Sequence, residues 1–382
     1  MSTKRKKSRR RSKKAQARRR RRMILFSLEI LVLIFMLGAL WIVVKSDKIE
    51  KDDIFKKGGD KIAINDELEA KMEEAGDEWH MTGYKNVALF GVDSRDKNLG
   101  KGTRTDTIMI ASINEDTGDV KLVSIFRDTY INIGNDTYNK ANAAYAAGGP
   151  EQAIMMLNMC LDLDITDYAT VDFTALVDAI DAIGGVDINV TDEEIEYLNS
   201  YQISMVGKPD GTVNALGEPN FTAKAGTDYI PVEHAGVQRL NGLQATAYCR
   251  IRYVGSDFQR AERQRTVLME AAKRAKEMSA SSLNSIIDEV FPKVKTSFTT
   301  TELVGYAAKA ASYNIVGNMG FPVDRVTGKM GKAGSCVIAT NFEAEVVNLH
   351  TFLFGESTYE TTNAVRDVST KVAQDRAAYL GN

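Results

Sequence analysis

Cysteine is scarce in this 382-residue sequence, which contains three cysteines. Cys160, Cys249 and Cys336 are too widely spaced to match the close pairs typical of zinc ligands. An odd number of cysteines in an exported chain cannot all pair internally. We therefore expect mostly free thiols that are buried as small hydrophobic side chains, although the sequence is compatible with one disulfide.

Histidine is equally rare. The three histidines match no catalytic motif, so neither a Ser-His-Asp nor a Cys-His nucleophilic site is expected. We interpret all three as incidental to function: His80, His234 and His350.

Acidic residues are absent from residues 1–22, which contain fourteen Lys and Arg. Because the whole chain has a net charge of −2, removing these fourteen positive charges leaves −16 on the other 360 residues. The sequence is therefore divided into a strongly basic tail and an acidic remainder.

One apolar run, Met23 to Val44, predicts an N-terminal transmembrane helix. Its 22 residues would extend about 33 Å, enough to cross a bilayer. The alternative is a cleaved signal peptide, but no small-x-small site follows the run. Glu29 is interpreted as lying near the cytoplasmic interface or contacting a partner within the membrane. The basic block places residues 1–22 in the cytoplasm and residues 45–382 outside, which predicts a single-pass cell-membrane protein.

Beyond the anchor, a stalk is predicted at 45–83, a domain at 84–355 and a polar tail at 356–382. Apolar runs at 86–93, 106–113 and 120–126 predict strands, and the turn between the last two predicts a hairpin. Helices between further strands predict an α/β fold in which a layered mixed β-sheet is flanked by helices.

Further elements follow from local signals. Pro150 is expected at the start of one helix, and Asp172 is expected to cap another that ends at Gly184. Other expectations are a strand at 186–190, a long surface excursion at 199–236, a helical turn and then a strand at 244–253, and a helix at 258–278.

Two acids and an arginine are expected at one edge of the sheet. Asp106 begins the strand at 106–113, and Arg127 lies just past the end of its hairpin partner at 120–126. If the strand at 86–93 runs parallel to that partner, Asp93, at its carboxyl end, reaches the same edge. Ligands of open α/β sheets bind at such edges. Paired carboxylates favour a hard cation such as Mg²⁺. Taken singly, each residue also suits an ordinary turn or strand end.

A second group of basic residues comes later. Arg250 and Arg252 are two positions apart and are expected on one strand face. Arg260 and Gln264 share one helix face. The planar guanidinium of Arg binds phosphate oxygens in a bidentate manner, so several arginines near a divalent ion indicate a pyrophosphate site. The alternative is that both sets are ordinary solvated faces.

Five motifs resemble, in order, those of the LytR–CpsA–Psr family over about residues 84–350: NVALFGVDSR, GTRTDTIMIASIN, VKLVSIFRDTYI, YNKANAAYAAGG and RIRYVGSDFQRAERQ. The resemblance implies a phosphotransferase of the bacterial envelope. Such enzymes move a teichoic-acid-like or capsular glycopolymer from a polyprenyl-pyrophosphate carrier to peptidoglycan. The resemblance also implies that the acceptor is the C6 hydroxyl of N-acetylmuramic acid.

The resemblance also implies roles for individual residues. Asp93, Asp106 and Arg127 match catalytic positions, and the two acids match ligands of Mg²⁺ or Mn²⁺. Lys140 and Asn142 lie in the matching K-x-N motif. Phe126 departs from the family, which usually has Pro there, so the local backbone shape is in question. The positions matched to pyrophosphate binding are Arg104, Arg127, Arg250, Arg252, Arg260 and Gln264.

A hydrophobic channel for the lipid is also implied by the resemblance. Its candidates lie on two predicted helices, where apolar residues at helical spacing equally suit a packed core. They are Met155, Met156, Met159, Leu176, Val177 and Ile180.

Three alternatives to glycopolymer transfer stay open at this stage. The first is a scaffold that binds the lipid-linked polymer, and the second is hydrolysis, with water replacing the acceptor hydroxyl. The third is a membrane-anchored transcriptional regulator. No nucleic-acid partner is expected, because membrane topology and anionic lipids explain the basic tail. The residues do not decide whether Asp93 or Asp106 acts as the base.

Overall fold

The computed structural model describes residues 50–51, 64–93, 99–213, 219–278, 290, 293–298, 302, 306 and 309–381. The strands in these residues are β1 (Glu50–Lys51), β2 (Tyr84–Val92), β3 (Thr105–Asn114), β4 (Asp119–Ile125), β5 (Tyr130–Asn132), β6 (Tyr138–Lys140), β7 (Asp167–Asp172), β8 (Val186–Val190), β9 (Lys208–Val213), β10 (Pro219–Thr222), β11 (Gly236–Leu240), β12 (Val294–Thr296), β13 (Asn314–Phe321), β14 (Arg325–Lys329) and β15 (Ser335–Ala339).

Helices pack on both faces of the central sheet, which seven of these strands form. The α-helices bounded within the described residues are α1 (Asp66–Ala75), α2 (Asn142–Leu161), α3 (Phe173–Ala182), α4 (Asp192–Val206), α5 (Gly242–Arg250), α6 (Asp257–Lys276), α7 (Phe342–Phe354) and α8 (Asn363–Leu380).

The central sheet is mixed and has the order β1-β12-β7-β2-β3-β4-β13. Strand β3 is antiparallel to both β2 and β4, so β2 and β4 are parallel to each other. The predicted hairpin between β3 and β4 is therefore confirmed. The carboxyl ends of β2 and β4 lie at the same edge of the sheet as the start of β3, which confirms the assumed strand order.

Successive side chains of the central strands point to opposite faces of the sheet and belong to two different apolar clusters. Ile110 of β3 and Val123 of β4 belong to a large apolar cluster that includes residues of α2, α7 and α8. Met109 and Leu122, one position away, face Leu268 of α6 in a smaller cluster. A further cluster joins residues of α3 to α6 with β8 and β11. The described residues thus form the predicted α/β architecture of a mixed sheet between helical layers.

Two segments expected outside the domain pack onto it instead. In the predicted stalk, Leu68 of α1 and Met81 are buried in the large cluster. In the predicted polar tail, Val365 and Val368 of α8 are buried in the same cluster. The domain therefore extends beyond 84–355 on both sides, because these short amphipathic segments cover apolar surface.

Two local predictions are wrong. Part of the expected surface excursion at 199–236 continues α4, and other parts form the β9–β10 pair and the start of β11. The expected strand containing Arg250 is the end of helix α5. Helix α5 begins after Asn241, because the Asn241 side chain accepts from the Gln244 backbone N–H and the Gln244 side chain accepts from the Asn241 backbone N–H in a capping box.

Other local predictions are confirmed. The Asp172 side chain accepts a hydrogen bond from the Ala175 amide at 2.7 Å and caps α3. Pro150 follows the non-helical Gly148 and Gly149, which divide α2. The three cysteines are free and buried.

The predicted transmembrane helix lies outside the described residues. Among those described, no helix has both the length and the apolar character that crossing a membrane requires.

Candidate functional site

An irregularity in the sheet presents Asp106 at the edge where the predicted site residues meet. Gly91 of β2 pairs with Thr107 of β3, but the next residue, Val92, pairs with Thr105. Asp106 is thus the extra residue of a β-bulge, a feature that redirects a side chain away from the regular pleat. Asp93 follows Val92 directly, so both acids lie at this edge.

Arginines from three segments surround the Asp106 carboxylate. Arg127 donates from Nη1 to Oδ1 at 2.5 Å, and Nη2 of Arg252 lies 3.5 Å from Oδ2. Nη2 of Arg260 lies 3.4 Å from the backbone carbonyl oxygen of Asp106. Burial alone would raise the pKa of Asp106, but the charges of Arg260, Arg127 and Arg252 outweigh it and lower the pKa. Asp106 is therefore a firmly ionised carboxylate.

Arg127 contacts further acids on its other side. Its Nε lies 3.8 Å from Asp128 and 3.7 Å from Asp257, and the attraction of these acids and Asp106 exceeds the effect of burial and raises its pKa. The side chain of Lys140 lies 3.2 Å from Asp128, while the backbone N–H of Asn142 donates to the carbonyl oxygen of Arg127 at 3.0 Å. The two residues of the K-x-N motif thus support the segment that carries Arg127.

Arg260 is the most deeply buried cation of this group, with only 3% of its side chain exposed. Nη2 forms an ion pair with Asp257 at 2.7 Å. Burial, followed by repulsion from Arg127 and Arg252, overcomes the attraction of Asp257 and Asp106 and lowers the pKa of Arg260 to about 10. Its buried Nε and Nη1 have no hydrogen-bond partner among the described residues. Such donors favour an anionic ligand.

Arg250 is held mainly by aromatic rings. Its guanidinium lies 4.8 Å from the ring centre of Phe173 and 5.6 Å from that of Tyr201. Nη2 lies 3.6 Å from Asp93, whose carboxylate is 43% exposed. The planar cation is therefore oriented by ring faces beside the more accessible of the two acids.

The two acids and the arginines at 250, 252 and 260 line one cleft with a volume of about 890 Å³. Arg127 is not in this lining, but its side chain contacts Asp106, which is. Aromatic rings line the same cleft, together with serines of α4 and Asn220 of β10. The predicted residues in the lining are Asp93, Asp106, Arg250, Arg252, Arg260 and Gln264.

A buried ion pair connects the walls of the cleft. Arg263 of α6 donates from Nε to Glu194 of α4 at 2.7 Å, and both side chains are 7% exposed. The other nitrogens donate to the carbonyl oxygens of Ile251 at 3.1 Å and Val254 at 2.8 Å. One guanidinium therefore fixes α4, α6 and the segment that carries Arg252. Sequence reasoning missed this brace because it joins residues 69 positions apart.

Phe126, the departure from the family pattern, takes part in a cation–π stack. Its ring packs against that of Phe258 with centres 4.6 Å apart. The Arg325 guanidinium lies 4.9 Å from the Phe126 ring centre and 3.9 Å from that of Phe258. Phe126 precedes Arg127, and Phe258 follows Asp257. The stack therefore connects β14 to the two chain segments that carry the Arg127–Asp257 ion pair.

Some predicted residues lie elsewhere. Arg104 is exposed and does not line the cleft. Met156 and Ile180 are buried in two different apolar clusters. None of the six predicted lipid contacts, all in the described part of the chain, lines the cleft, because α2 packs on the far face of the sheet and the inner face of α3 packs into the core. The missed lining includes Tyr197 and Tyr201, whose i, i+4 spacing is the helical signal that could have revealed it.

The comparison with protein families gives one match that covers most of the chain. The model of the LytR_cpsA_psr family matches residues 46–341. This span includes every described element from β1 to β15 and all the predicted site residues.

Curated relatives share less than a third of their residues with this chain. "Biofilm regulatory protein A" of Streptococcus mutans is 28% identical over 58% of this chain and 53% of its own length. "Polyisoprenyl-teichoic acid--peptidoglycan teichoic acid transferase TagU" of Bacillus mycoides is 30% identical over 57% of this chain and 62% of its own length. The matched region thus spans less than two thirds of either relative.

The fold resembles solved structures. One is a LytR-CPS2A-psr family protein, TagT, with bound octaprenyl pyrophosphate lipid. It has a TM-score of 0.51 at 18% sequence identity, covering 72% of this chain and 92% of that one. At this identity the likeness establishes a shared fold.

Proposed function

Because this chain belongs to the LytR_cpsA_psr family, we propose that it transfers a glycopolymer from a polyprenyl-pyrophosphate carrier to peptidoglycan. Two comparisons support this choice of substrate. The relative from Bacillus mycoides carries the name of a teichoic acid transferase. The solved relative with this fold binds octaprenyl pyrophosphate.

The observation that carries the proposal is the distribution of charge in the cleft. Arg127, Arg252 and Arg260 converge on one ionised carboxylate, and buried donors of Arg260 have no hydrogen-bond partner in the described residues. A pyrophosphate concentrates negative charge in a small volume, and fixed guanidinium donors match its oxygens. The arginines that bind it would also stabilise the charge that develops on the leaving phosphate.

We propose that the two acids hold a divalent cation that is shared with the substrate. No group of three or more acidic, histidine or cysteine side chains suited to a metal ion occurs within the described residues. Asp93 and Asp106 nevertheless line one cleft, and Mg²⁺ is commonly held by one or two carboxylates together with substrate phosphates. Bound Mg²⁺ or Mn²⁺ would neutralise pyrophosphate charge, and the two aspartates would be its protein ligands.

The proposed reaction is the attack of a peptidoglycan hydroxyl on the sugar-linked phosphorus. A new P–O bond forms to the acceptor, the bond to the bridging oxygen breaks, and polyprenyl phosphate leaves. We assign the hydroxyl proton to Asp93, which would take it with an oxygen that does not hold the cation. Its side chain is 43% exposed, whereas the arginines around Asp106 keep that carboxylate a weak base.

The proposed location is the outer surface of the cell membrane. The basic residues 1–22 would remain in the cytoplasm and the run Met23 to Val44 would form the anchor. The anchor would keep the cleft close to a membrane-embedded carrier, and peptidoglycan would be the second partner.

The test is a transfer assay with the full chain in detergent. Polyprenyl-pyrophosphate-linked glycan is incubated with peptidoglycan fragments in Mg²⁺ or in excess chelator, and glycan attachment is followed by mass spectrometry. We expect attachment that depends on the metal. Binding of the carrier without attachment would favour the scaffold, release of glycan phosphate alone would favour hydrolysis, and absence of carrier binding would refute the proposal.

A further inference from the structure

Two tyrosine rings are stacked on each other at the cleft. Tyr197 of α4 and Tyr253, between α5 and α6, have ring centres 5.7 Å apart and planes inclined by 26°. Both line the cleft, yet Tyr253 is 64% exposed. Because Tyr253 exposes this much apolar ring surface inside a cleft, the stacked ring is a candidate ligand contact.

The stack differs from the other aromatic pair in the cleft. Phe173 and Tyr201 present their rings to the guanidinium of Arg250 and serve to orient it. Tyr253 leaves most of its surface to solvent at the cleft. It therefore has ring surface free to contact a ligand, while Phe173 and Tyr201 are committed to a cation.

The buried brace described above holds the stack in place. Arg263 binds the carbonyl oxygens of Ile251 and Val254, on either side of Tyr253, at 3.1 and 2.8 Å. Its Nε binds Glu194 at 2.7 Å, one helical turn before Tyr197. A side chain on a segment fixed in this way loses less conformational entropy when it binds a ligand.

We infer that the Tyr197–Tyr253 stack is a platform for the pyranose ring of a glycan, an assignment that depends on the proposed function. A pyranose has an apolar C–H face that packs on an aromatic ring and a polar rim of hydroxyls. Ser200, Ser204 and Asn220 in the same cleft offer partners for that rim. The isoprenoid chain is a poorer occupant, because a ring that is 64% exposed would leave hydrocarbon in water.

The position of the stack suits a sugar next to the phosphates. Tyr253 directly follows Arg252, whose Nη2 lies 3.5 Å from Asp106. The first sugar of the donor is bonded to the pyrophosphate, and the acceptor sugar must approach the same phosphorus. Both sources present a pyranose here, so the experiment has one arm for each.

The experiment compares full-length wild type with Tyr253→Ala, Tyr253→Phe and Tyr379→Ala. Tyr379 is 53% exposed on α8, outside the cleft lining, and controls for the loss of a surface ring. The first arm measures the Kd for polyprenyl pyrophosphate with and without one N-acetylhexosamine. The second arm measures KM for peptidoglycan fragments in the transfer assay.

If the platform holds the donor sugar, Tyr253→Ala weakens binding of the sugar-bearing carrier by about tenfold, which corresponds to about 1.4 kcal/mol, and leaves the bare carrier unaffected. If it holds the acceptor, KM for the fragments rises by about tenfold instead. Tyr253→Phe, which keeps the ring face, should lose clearly less than Tyr253→Ala, and Tyr379→Ala should behave as wild type.

Equal weakening of both carriers by Tyr253→Ala would overturn the inference, as would unchanged values in both arms. A Tyr253→Phe variant as impaired as Tyr253→Ala would also contradict it, since the ring face is retained. These results differ from failure of the proposed function, in which wild type itself would bind neither carrier.

Discussion

Two largely inaccessible aspartates, one in the cleft and one in the core, have pKa values shifted in opposite directions. Asp106, in the cleft, is surrounded by Arg127, Arg252 and Arg260, and these charges lower its pKa despite burial. Asp162, at the end of α2, is fully buried, and its burial raises its pKa. Its hydrogen-bond donors are the uncharged groups of Asn65, Tyr359 and Thr362.

The opposite pKa shifts distinguish a binding site at Asp106 from a structural joint, meaning the set of hydrogen bonds to Asp162 that holds distant segments together. The donors to Asp162 come from segments about a hundred to two hundred positions away in the chain, and each is satisfied by the carboxylate, so the contacts hold α1 and the start of α8 to the core. At Asp106 the cations exceed what one carboxylate can satisfy, and the remaining donors of Arg260 suit an external anion.

The first prediction tests the structural role of Asp162 with the substitution Asp162→Ala. The change leaves buried donors of Tyr359 and Thr362 without an acceptor and places alanine at a φ of 51°. We expect the free energy of unfolding to fall by about 3 kcal/mol or more in urea titrations. Transfer by the folded fraction should be unchanged.

Asp162→Asn is the control for this change. Asparagine keeps an acceptor and tolerates the left-handed backbone, so its loss of stability should be clearly smaller. An Asp162→Ala variant that is as stable as wild type would contradict the structural role of the joint.

The second test uses pH. His350 donates from Nε2 to the Leu161 carbonyl oxygen at 2.9 Å, while its Nδ1 faces His80 Nε2 at 2.9 Å. Burial lowers the pKa of His350 to about 3. Because this value is below that of the unfolded chain, the unfolded state binds the proton first, and stability is lost as the pH falls below about 6.5.

Between pH 7.5 and 5.0 we expect the unfolding free energy to fall by about 2 kcal/mol through His350. The lowered pKa of His80 acts in the same direction, and the raised pKa of Asp162 acts in the opposite one. His350→Gln should flatten the profile in chemical denaturation. An unaltered pH dependence in this variant would show that His350 does not titrate as its burial implies.

The third prediction, with the smallest expected effect, concerns the cation–π stack of Arg325 with Phe126 and Phe258. Arg325→Met keeps an apolar stem but removes the cation between Phe126 and Phe258, as well as hydrogen bonds to the carbonyl oxygens of Pro322 and Val323. We expect kcat to fall by about tenfold, because Arg127 and Asp257 are held less rigidly. KM should change little.

Lys329→Met is the matched control, since Lys329 lies on the same strand, β14, and is exposed. The control should retain wild-type kcat. Equal kcat values for both variants would remove Arg325 from the positioning of the site.

The elements that could be predicted from the sequence depend on local patterns. The apolar runs of β3 and β4 and the turn between them place Asp106 and Arg127 at one edge. The segment 244–253 predicts a helical turn followed by a strand that contains Arg250, whereas the helix that begins after the capping box at Asn241 continues to Arg250. Asp257 and Glu194 were missed as site partners because their roles depend on packing between distant segments, and the bulge at Asp106 leaves no local signal.

The most direct test of the central claim is the paired measurement of Asp106→Asn and Asp187→Asn. Asp187 also forms an ion pair with an arginine, Arg239 at 2.7 Å, but outside the cleft lining. We predict that Asp106→Asn lowers the transfer rate by at least about 100-fold while its circular dichroism spectrum stays that of the folded wild type, since the change removes no apolar surface. Asp187→Asn should change neither. Full transfer by Asp106→Asn would contradict the assignment of this carboxylate to the catalytic centre.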